Sequence, residues 1–328
     1  MRDRALRGVN LGGWLVLERW MTPSVFAGTE AQDEYTFMQT PGAQDKIDTH
    51  RREFITEADF QWLHKVGVEA VRIPVGYWVL ASNGPYVEAF AYLDWAFQMA
   101  ETYQLRVLLD LHGAPGSQNG HDHSGRIGHS AWFDKEIYRT ETLSILKALH
   151  QRYHASPAYW GLEFLNEPKG SNMDVLRQFY CEASQVVDGD QYLVFSDAFR
   201  PLSMNGALPG EPRAVMDVHI YHMASKLKHV LPVSSFVKVS NWWYTRLLRR
   251  LSKHQPVVVG EWSMVLRGES LRRFSDGWAD ELMHNFGHQQ IEAYDRASLA
   301  WFYWSYKTES PNKWNFRYLV DEGLLVLP

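Results

Sequence analysis

The sequence has 328 residues, of which 45% are hydrophobic, 14% aromatic and 22% charged, with a formal net charge of -5 at pH 7. This composition is typical of a folded globular protein and excludes a disordered or fibrous chain. A mildly acidic chain in which no basic run stands out lacks the counterion release that drives nucleic-acid affinity, so we expect no nucleic-acid partner.

The apolar runs are short and cysteine occurs once. Runs such as Val257 to Val259 fall far below the roughly 18 to 20 residues of a spanning helix, so no membrane insertion is expected. The charged stretch Met1 to Arg7 leads into no long apolar segment, which predicts no export signal. With Cys181 alone, an intramolecular disulfide and a multi-cysteine metal site are excluded, and a cytoplasmic location is expected.

Short β-rich runs alternate with longer amphipathic runs along the chain. The eight predicted strands are Gly8 to Leu11, Glu69 to Pro74, Arg106 to His112, Tyr159 to Asn166, Tyr192 to Ser196, Val215 to Tyr221, Pro256 to Glu261 and Ser298 to Trp304. The predicted helices are Glu57 to Val66, Tyr92 to Tyr103, Ala131 to Tyr153, Met173 to Val187, Phe236 to Lys253 and Ser275 to Ala293. Thr56 and Asp59 have capping-box spacing before the first helix, and Gly67 follows its last apolar residue.

Eight strands alternating with helices predict an α/β fold, a (β/α)8 TIM barrel that forms a single domain over residues 1–328. A doubly wound open sheet is the alternative, but no glycine-rich phosphate-binding turn follows the first strand. The longest irregular segments, about 21–50, 113–130 and 304–320, follow strand ends. In a barrel they lie over the C-terminal mouth, where active sites are built.

Polar or aromatic side chains end almost every predicted strand, at positions where a packed core would not place them. They include Arg72, Asp110, His112, Asn166, Glu167, Asp217, His219, Tyr221, Glu261 and Trp304. Because side chains alternate along a strand, Asp217, His219 and Tyr221 point the same way, as do Asp110 and His112. The strand ends therefore predict a polar site at the mouth.

Two carboxylates stand out in this set. Glu167 and Glu261 each follow an apolar run, on the fourth and seventh strands, so they can face each other across an eight-membered ring. Facing carboxylates are what cleavage of a glycosidic bond needs, and one should have a raised pKa and the other a depressed pKa. Arg72 can pair with a nucleophilic carboxylate and hold it ionised, while His219 and Tyr221 can orient a carboxylate.

Aromatic residues and histidines add two further interpretations. A site that combines Trp304, Trp14 or Trp262 with Asn166 and His112 suits a sugar, whose C–H faces pack on aromatic rings. Most of the 14 tryptophans, Trp242 and Trp243 among them, are expected in the core or between helices. Metal catalysis by the histidines of the 113–130 loop is the weaker alternative, because their spacing matches no recognised ligand set.

Taken together, these motifs resemble glycoside hydrolase family 5, and within it the exo-β-1,3-glucanase (glucan 1,3-β-glucosidase) group of yeasts. The resembling segments are Arg7 to Glu18, Val71 to Trp78, Asp110 to Gly120, Leu165 to Pro168, His219 to Tyr221, Gly260 to Trp262 and Trp304 to Glu309. They occur in order along nearly the whole chain. The resemblance implies a retaining hydrolase of β-glucosides or β-glucan oligosaccharides that needs no cofactor and no metal.

The resemblance also implies a role for each site residue. Glu167 would be the general acid/base and Glu261 the nucleophile, with about 5 to 5.5 Å between the two carboxyl groups. The supporting catalytic residues would be Arg72, Asn166, His219 and Tyr221, and the substrate-binding residues Glu18, His112, Trp304, Asn119 and Asp122. His121 and Ala224 stand where yeast enzymes typically carry the phenylalanines of an entrance clamp, so the grip on a glucan chain is expected to differ.

Three alternatives remain open beside this hypothesis. A β-1,6-glucanase, or a glycosidase of glucosylated lipids or small metabolites, would use the same catalytic residues. A binding protein that keeps the barrel without turnover is a different class, which the presence of both glutamates disfavours. Transglycosylation would follow if a sugar instead of water intercepted the covalent intermediate.

Overall fold

The computed structural model describes residues 4–222, 232–266 and 276–327, and these residues form a closed barrel of eight parallel strands. The strands are β1 Leu6–Asn10, β2 Ala70–Gly76, β3 Arg106–Gly113, β4 Tyr159–Glu163, β5 Tyr192–Ser196, β6 Ala214–Ile220, β7 Val257–Trp262 and β8 Ala300–Tyr303. Each strand pairs with the next in the sequence, and β8 pairs with β1 to close the ring. The predicted (β/α)8 barrel is confirmed.

Helices fill the connections between the strands and surround the barrel. They are α1 Glu34–Phe37, α2 Ala43–Phe54, α3 Glu57–Lys65, α4 Phe90–Thr102, α5 Glu136–Tyr153, α6 Met173–Val186, α7 Pro201–Met204, α8 Val233–Leu251, α9 Asp276–Asp295 and α10 Phe316–Asp321. The capping box before α3 is present, because the Thr56 N–H donates to the Asp59 carboxylate at 2.8 Å. Gly67 adopts a φ of 86°, as its place after the helix requires. No helix of the described residues is long and apolar enough to cross a membrane.

Three predicted element boundaries differ from the structure by three or more residues: the end of the fourth strand, the start of α5, and the start of α8, which begins at Val233 rather than Phe236. The fourth strand ends at Glu163 rather than Asn166, because Glu163 is its last residue paired in register with β3 and β5. The chain then leaves the strand towards Glu167, whose φ is 42°. The fifth helix begins at Glu136 rather than Ala131, because the preceding turn is held by the Arg139 guanidinium on the carbonyls of Trp132 and Phe133. Two segments that were predicted to be irregular contain helices: 21–50 contains α1 and most of α2, and 304–320 contains most of α10. Ser275, the predicted start of the last helix, lies outside the described residues.

The barrel interior is layered. A buried apolar layer fills the N-terminal half, and it consists of Leu6, Ala70, Leu108, Val194, Val215, Val258, Ala300 and Phe302. Two residues further along several strands, where the alternation returns to the interior, the side chains are ionisable: Arg72, Asp110 and Asp217 are all buried. The apolar layer therefore closes the N-terminal half of the barrel interior, and we call it the apolar plug. The ionisable side chains lie on its C-terminal side.

Gly260 allows this second layer to form. A β-carbon at this position would stand 2.1 Å from the Asp217 carboxylate, whereas the glycine N–H donates to that carboxylate at 2.6 Å. No side chain fits so close an approach of strand backbone and charged group. The neighbouring residue, Glu261, then lies at the end of β7.

Candidate active site

A cavity of about 360 Å³ opens at the C-terminal mouth of the barrel. It is lined by Glu18, Trp20, His112, His123, Asn166, Glu167, Tyr221, Glu261, Trp304 and Trp314. Seven of these ten side chains are ones that the sequence placed in a site, and they come from the ends of different strands and from the loops above them. Arg72 and His219, the other two catalytic candidates, contact the carboxylates of this cavity from below.

Arg72 occupies the centre of the barrel, fully buried at the level of the ionisable layer. Its Nε donates to Glu163 at 2.7 Å, and its two terminal nitrogens contact the oxygens of Asn10, Glu261, Asn166 and Asp110 at 2.9 to 3.1 Å. Burial alone would lower the pKa of this guanidinium, but the surrounding carboxylates raise it instead. Arg72 is therefore a fixed positive charge that orients five side chains at once.

Glu261 is held at both of its oxygens. Arg72 donates to Oε1 at 3.1 Å and the Tyr221 hydroxyl donates to Oε2 at 2.6 Å. Burial raises the pKa of Glu261, and the charge of Glu167 adds to that rise, while His219, Arg72 and Tyr221 oppose it. The side chain is thus fixed in one orientation, with its carboxylate facing the cavity.

Glu167 faces Glu261 from the loop that follows β4. One oxygen of each carboxylate and a His219 nitrogen lie within 4.8 Å of one another. Oε1 of Glu167 is 2.6 Å from Nδ1 of His219, and Oε2 is 3.5 Å from Nε2 of His123. The left-handed backbone at Glu167 is accompanied by a hydrogen bond from the Asn119 side chain to its carbonyl, at 3.2 Å. A strained backbone of this kind persists where surrounding contacts over-determine it.

His219 links Glu167 to a second carboxylate deeper in the barrel. Its Nε2 lies 3.1 Å from Oδ2 of Asp217, whose other oxygen accepts the N–H of Gly260. Burial opposes the charged imidazole, but the charges of Glu261 and Asp217 raise the pKa of His219 well above its usual value. Burial likewise opposes an ionised Glu167, and the hydrogen bond and charge of His219 outweigh it and lower the pKa of Glu167 to about 2.

The pKa values of the two facing carboxyl groups move in opposite directions, that of Glu261 upwards and that of Glu167 downwards. One raised and one depressed pKa were predicted, but the roles of nucleophile and general acid imply the reverse assignment. In the substrate-free site the lowered pKa belongs to Glu167, because the neighbouring His219 carries the charge that stabilises its carboxylate. A proton on Nδ1 of His219 is one 2.6 Å hydrogen bond away from Glu167. His219 and Glu167 thus act as a unit that carries one proton near neutral pH.

Asn166 and His112 present polar atoms to the cavity in fixed orientations. The side-chain oxygen Oδ1 of Asn166 accepts a hydrogen bond from Arg72 at 3.0 Å. This bond turns Nδ2 of the same side chain towards Nε2 of His112, at 3.3 Å. Nδ1 of His112 lies 2.6 Å from Asp110, so this nitrogen donates and Nε2 accepts. The His112 ring stacks on Trp304, with 5.5 Å between the ring centres and 5° between the planes.

Glu18 and two tryptophans complete the cavity. The Trp20 indole N–H donates to Glu18 at 2.8 Å, and Trp20 packs edge-on against Trp314, which in turn contacts Tyr221. Burial and the charge of Asp122 raise the pKa of Glu18 well above its usual value. The cavity therefore combines aromatic faces with fixed polar groups, the combination that suits a sugar.

Some expected contacts are absent from the cavity. Trp14 and Trp262 were expected as sugar platforms and this is wrong: both are fully buried, Trp14 donating to the Arg51 carbonyl and Trp262 packing on Tyr303. Of the remaining candidates, Asn119 bonds the Glu167 backbone and Asp122 acts on Glu18 through its charge, and neither lines the cavity. Exposed His121 stacks on His123 at the entrance, and Ala224 lies outside the described residues.

Sequence reasoning missed Glu163, His123, Trp20, Trp314 and Asn10. Glu163 had a usable pattern, because alternation along β4 turns Gly161 and Glu163 inward together. His123 had been weighed only as a metal ligand. Trp20 and Trp314 lie in mouth loops almost 300 residues apart, and no local pattern brings such residues together.

Two groups of the described residues have ligand atoms close enough for a metal ion: Glu163, Asp217 and His219, and Glu167, His219 and Glu261. Arg72 already contacts Glu163 and Glu261. A divalent cation there would meet the charge of the guanidinium and would have to displace it from these carboxylates. The donor set therefore suits proton transfer better than metal ligation.

Comparison with known proteins adds to this geometry. The family model for cellulase (glycosyl hydrolase family 5) matches residues 32–310. A probable glucan 1,3-beta-glucosidase A of Aspergillus clavatus is 35% identical over 100% of this chain and 88% of its own length. The glucan 1,3-beta-glucosidase of Blumeria graminis is 32% identical over 99% of this chain and 88% of its own, and that of Candida oleophila is 33% identical over 98% and 89%.

Solved structures share the fold. The rutinosidase from Aspergillus niger superposes with a TM-score of 0.82 at 22% identity, covering 98% of both chains. The endo-glycoceramidase II from Rhodococcus sp. gives a TM-score of 0.58 at 15% identity, over 95% of this chain and 74% of that one. At these identities the likeness extends to the barrel alone.

Proposed function

Because the chain belongs to glycosyl hydrolase family 5, we propose that this glycoside hydrolase removes glucose from short β-1,3-glucans or β-glucosides with retention of anomeric configuration. The names of its fungal relatives, glucan 1,3-beta-glucosidase, support the linkage. The residues that line the cavity support the chemistry.

The observation that carries the proposal is the approach of the two carboxylates across the cavity. Retaining enzymes hold their carboxyl groups about 5 to 5.5 Å apart, whereas inverting enzymes need about 6.5 to 9.5 Å to admit a water between them. Oxygens of Glu167 and Glu261 within 4.8 Å of each other favour the retaining arrangement.

In the first step, Glu261 attacks the anomeric carbon and forms a glycosyl ester, and the bond from that carbon to the leaving oxygen breaks. The leaving oxygen takes a proton from Glu167, which His219 supplies along their 2.6 Å hydrogen bond. This shift removes from Glu261 both the attraction of His219 and the repulsion of Glu167, and Arg72 and Tyr221 remain to hold the nucleophile ionised.

In the second step, water replaces the leaving group. Glu167, now unprotonated, takes a proton from the water as its oxygen attacks the anomeric carbon and the ester bond to Glu261 breaks. Glucose leaves in the β form, Glu261 is again a carboxylate, and the Glu167–His219 pair has recovered its proton. Two inversions at one carbon give net retention.

The cavity supports a short substrate bound at its end. At about 360 Å³ it lies near the lower limit of the roughly 300 to 1,000 Å³ typical of small-ligand sites. We assign Asn166 to the sugar 2-hydroxyl and His112, Glu18 and Trp304 to the remaining face and hydroxyls of the glucose. The family resemblance implies these assignments, and the fixed hydrogen bonds and the aromatic stack already described support them.

Hydrolysis of laminaribiose, followed by NMR of the anomeric proton, tests this function, with the Glu261→Ala variant as control. Early release of β-glucose by the unmodified enzyme alone is the expected result. Early release of α-glucose would contradict the double displacement. If laminaribiose resists cleavage while an aryl β-glucoside is cleaved with retention, the mechanism stands and the β-1,3 linkage is wrong.

A further inference from the structure

We propose that the outer face of α8 is a docking surface for an anionic lipid bilayer. Trp242 and Trp243 were expected between packed helices, and this is wrong, since they expose 60% and 52% of their surface. Val239, one turn before Trp243, is also exposed. Adjacent exposed tryptophans form an apolar patch, which on a soluble surface marks an interaction site.

The same face is strongly basic, so the expectation that no basic run stands out along the chain is wrong for this helix. Five cations occur on it or directly after it: Lys238, Arg246, Arg249, Arg250 and Lys253, all exposed. No aspartate or glutamate occurs anywhere in Val233–Leu251. At about 100° per residue, Lys238, Arg246, Arg249 and Arg250 fall within about 120° of one another, so they share one helix face, about 18 Å long from Lys238 to Arg250. This face is positive on a chain whose net charge is -5.

Neighbouring elements leave these charges available. Among the described residues, no carboxylate forms an ion pair with Arg246, Arg249 or Arg250. Glu292 of α9 borders the same shallow depression as Lys238 and Arg249, but its carboxylate pairs with Arg296. The Arg246 guanidinium lies 5.0 Å from the centre of the Trp242 ring, so cation and aromatic ring are presented together.

The pairing of tryptophans with arginines favours a bilayer over other anions. A soluble polyanion gains from the cations but offers no apolar phase for two indoles. At a membrane interface, indole rings sit at the level of the headgroups with their N–H still hydrated, while arginine stems extend along the apolar surface to phosphate. A basic helix with tryptophans on its outer face binds such an interface in its plane.

The geometry of the barrel makes docking compatible with catalysis. α8 follows β6, which ends at the mouth of the barrel, and precedes β7, which begins at the N-terminal end of the barrel. The helix axis therefore runs along the side of the barrel. A bilayer lying along this face would leave the cavity at the end of the barrel open. Docking therefore goes beyond the proposed hydrolysis and does not depend on it.

Co-sedimentation of the full chain with phosphatidylcholine vesicles, with and without phosphatidylserine, tests the proposal. Binding is expected only to vesicles that contain phosphatidylserine, with a blue shift of tryptophan emission. Arg246→Gln/Arg249→Gln/Arg250→Gln should weaken binding about 100-fold, since each basic side chain near an anionic surface is worth roughly a fivefold change. Trp242→Ser/Trp243→Ser should weaken it about tenfold or more and abolish the shift.

A matched control lies on α5, where Ile137 and Lys147 are also exposed. Ile137→Ser/Lys147→Gln should bind vesicles like the unmodified protein, and all variants should hydrolyse a soluble aryl β-glucoside equally.

Equal binding to neutral vesicles, or unchanged binding by both α8 variants, would overturn the proposal. Binding to heparin without vesicle binding would identify a polyanion surface instead, and a dimer lost in the tryptophan variant would identify a second copy. Vesicle binding is read without hydrolysis, so its failure is distinct from failure of the proposed function.

Discussion

The two ends of the barrel carry cavities that differ in size and in chemistry. The cavity at the N-terminal end of the strands holds about 1090 Å³, three times the volume at the mouth. Its charged residues, such as Arg106, Asp190 and Lys253, are exposed. Glu18 and Glu261 at the mouth expose 4% and 5%. Water screens the charges of the first set, whereas the buried charges of the second set are screened much less and so interact more strongly.

This difference arises within single strands. On β6, Val215 packs in the apolar plug, and Asp217 and His219 follow it into the ionisable layer. The plug separates the two cavities, so the larger one has no access to Arg72 or to the facing carboxylates. Burial of ionisable groups around one fixed cation, rather than cavity volume, identifies the reactive end of this barrel.

The largest expected effect comes from Glu261→Ala. Loss of the nucleophile removes the covalent step, so kcat/KM for laminaribiose should fall by about 10⁵-fold while the melting temperature stays within a few degrees. Arg72 keeps Glu163 and Asp110 as partners, which limits the cost to stability. Steady-state kinetics and thermal unfolding check both parts, and activity within tenfold of the unmodified enzyme would show that the nucleophile lies elsewhere.

Glu167→Ala should produce a loss that depends on the leaving group. A sugar leaving group needs protonation, so hydrolysis of laminaribiose should fall by about 10³ to 10⁴-fold. A dinitrophenyl β-glucoside, whose leaving group needs no proton, should lose far less in the glycosylation step. Comparing kcat/KM for the two substrates measures the difference, and equal losses would contradict the role of general acid.

His219→Ala should narrow the pH profile of kcat/KM from both sides and lower its maximum by about 10²-fold. The raised pKa of His219 sets the pH at which the pair loses its proton, so without the imidazole the alkaline limb moves to lower pH. His219 also lowers the pKa of Glu261, so the acid limb moves to higher pH when it is removed. If both limbs of the pH profile of kcat/KM stay at the same pH in His219→Ala, His219 has only a structural role.

The smallest effect is expected at the opposite end of the barrel. Asp190→Ala in the larger cavity removes an exposed carboxylate, so kcat/KM and the pH profile should stay within twofold of the unmodified enzyme. This variant is the matched control for Glu261→Ala. A fall in kcat/KM of tenfold or more would indicate that the larger cavity takes part in the reaction.

Much of the fold was predictable because its pattern is local. Tyr192–Ser196 forms the strand that its β-rich run predicts, and Thr56 and Asp59 form the capping box that their spacing predicts. Glu167 shows the limit of such patterns: it directly follows the stretch predicted as the fourth strand, but β4 ends at Glu163 and the backbone at Glu167 is left-handed. That turn depends on loop contacts such as the one from Asn119, which no window on β4 contains.

The same distinction applies to the residues of the site: the topology places some of them together, and others cannot be placed from the sequence. Strand ends meet at one edge of a parallel barrel, so Arg72, Glu167 and Glu261 could be placed together from the topology alone. Tryptophans have no such rule: Trp262 lies on the same strand as Glu261 but faces the core, whereas Trp314 reaches the cavity from a loop. Which indole meets a sugar, and which remains exposed on α8, is decided by tertiary packing.

The most direct test of the central claim is to trap the covalent intermediate. A 2-deoxy-2-fluoro-β-glucoside with a good leaving group should form the glycosyl ester quickly and hydrolyse slowly, so the protein accumulates with one sugar attached. Mass spectrometry of the digested protein should locate that sugar on Glu261. A label on another residue, or a protein that turns over this substrate without ever carrying a label, would contradict the double displacement at Glu261.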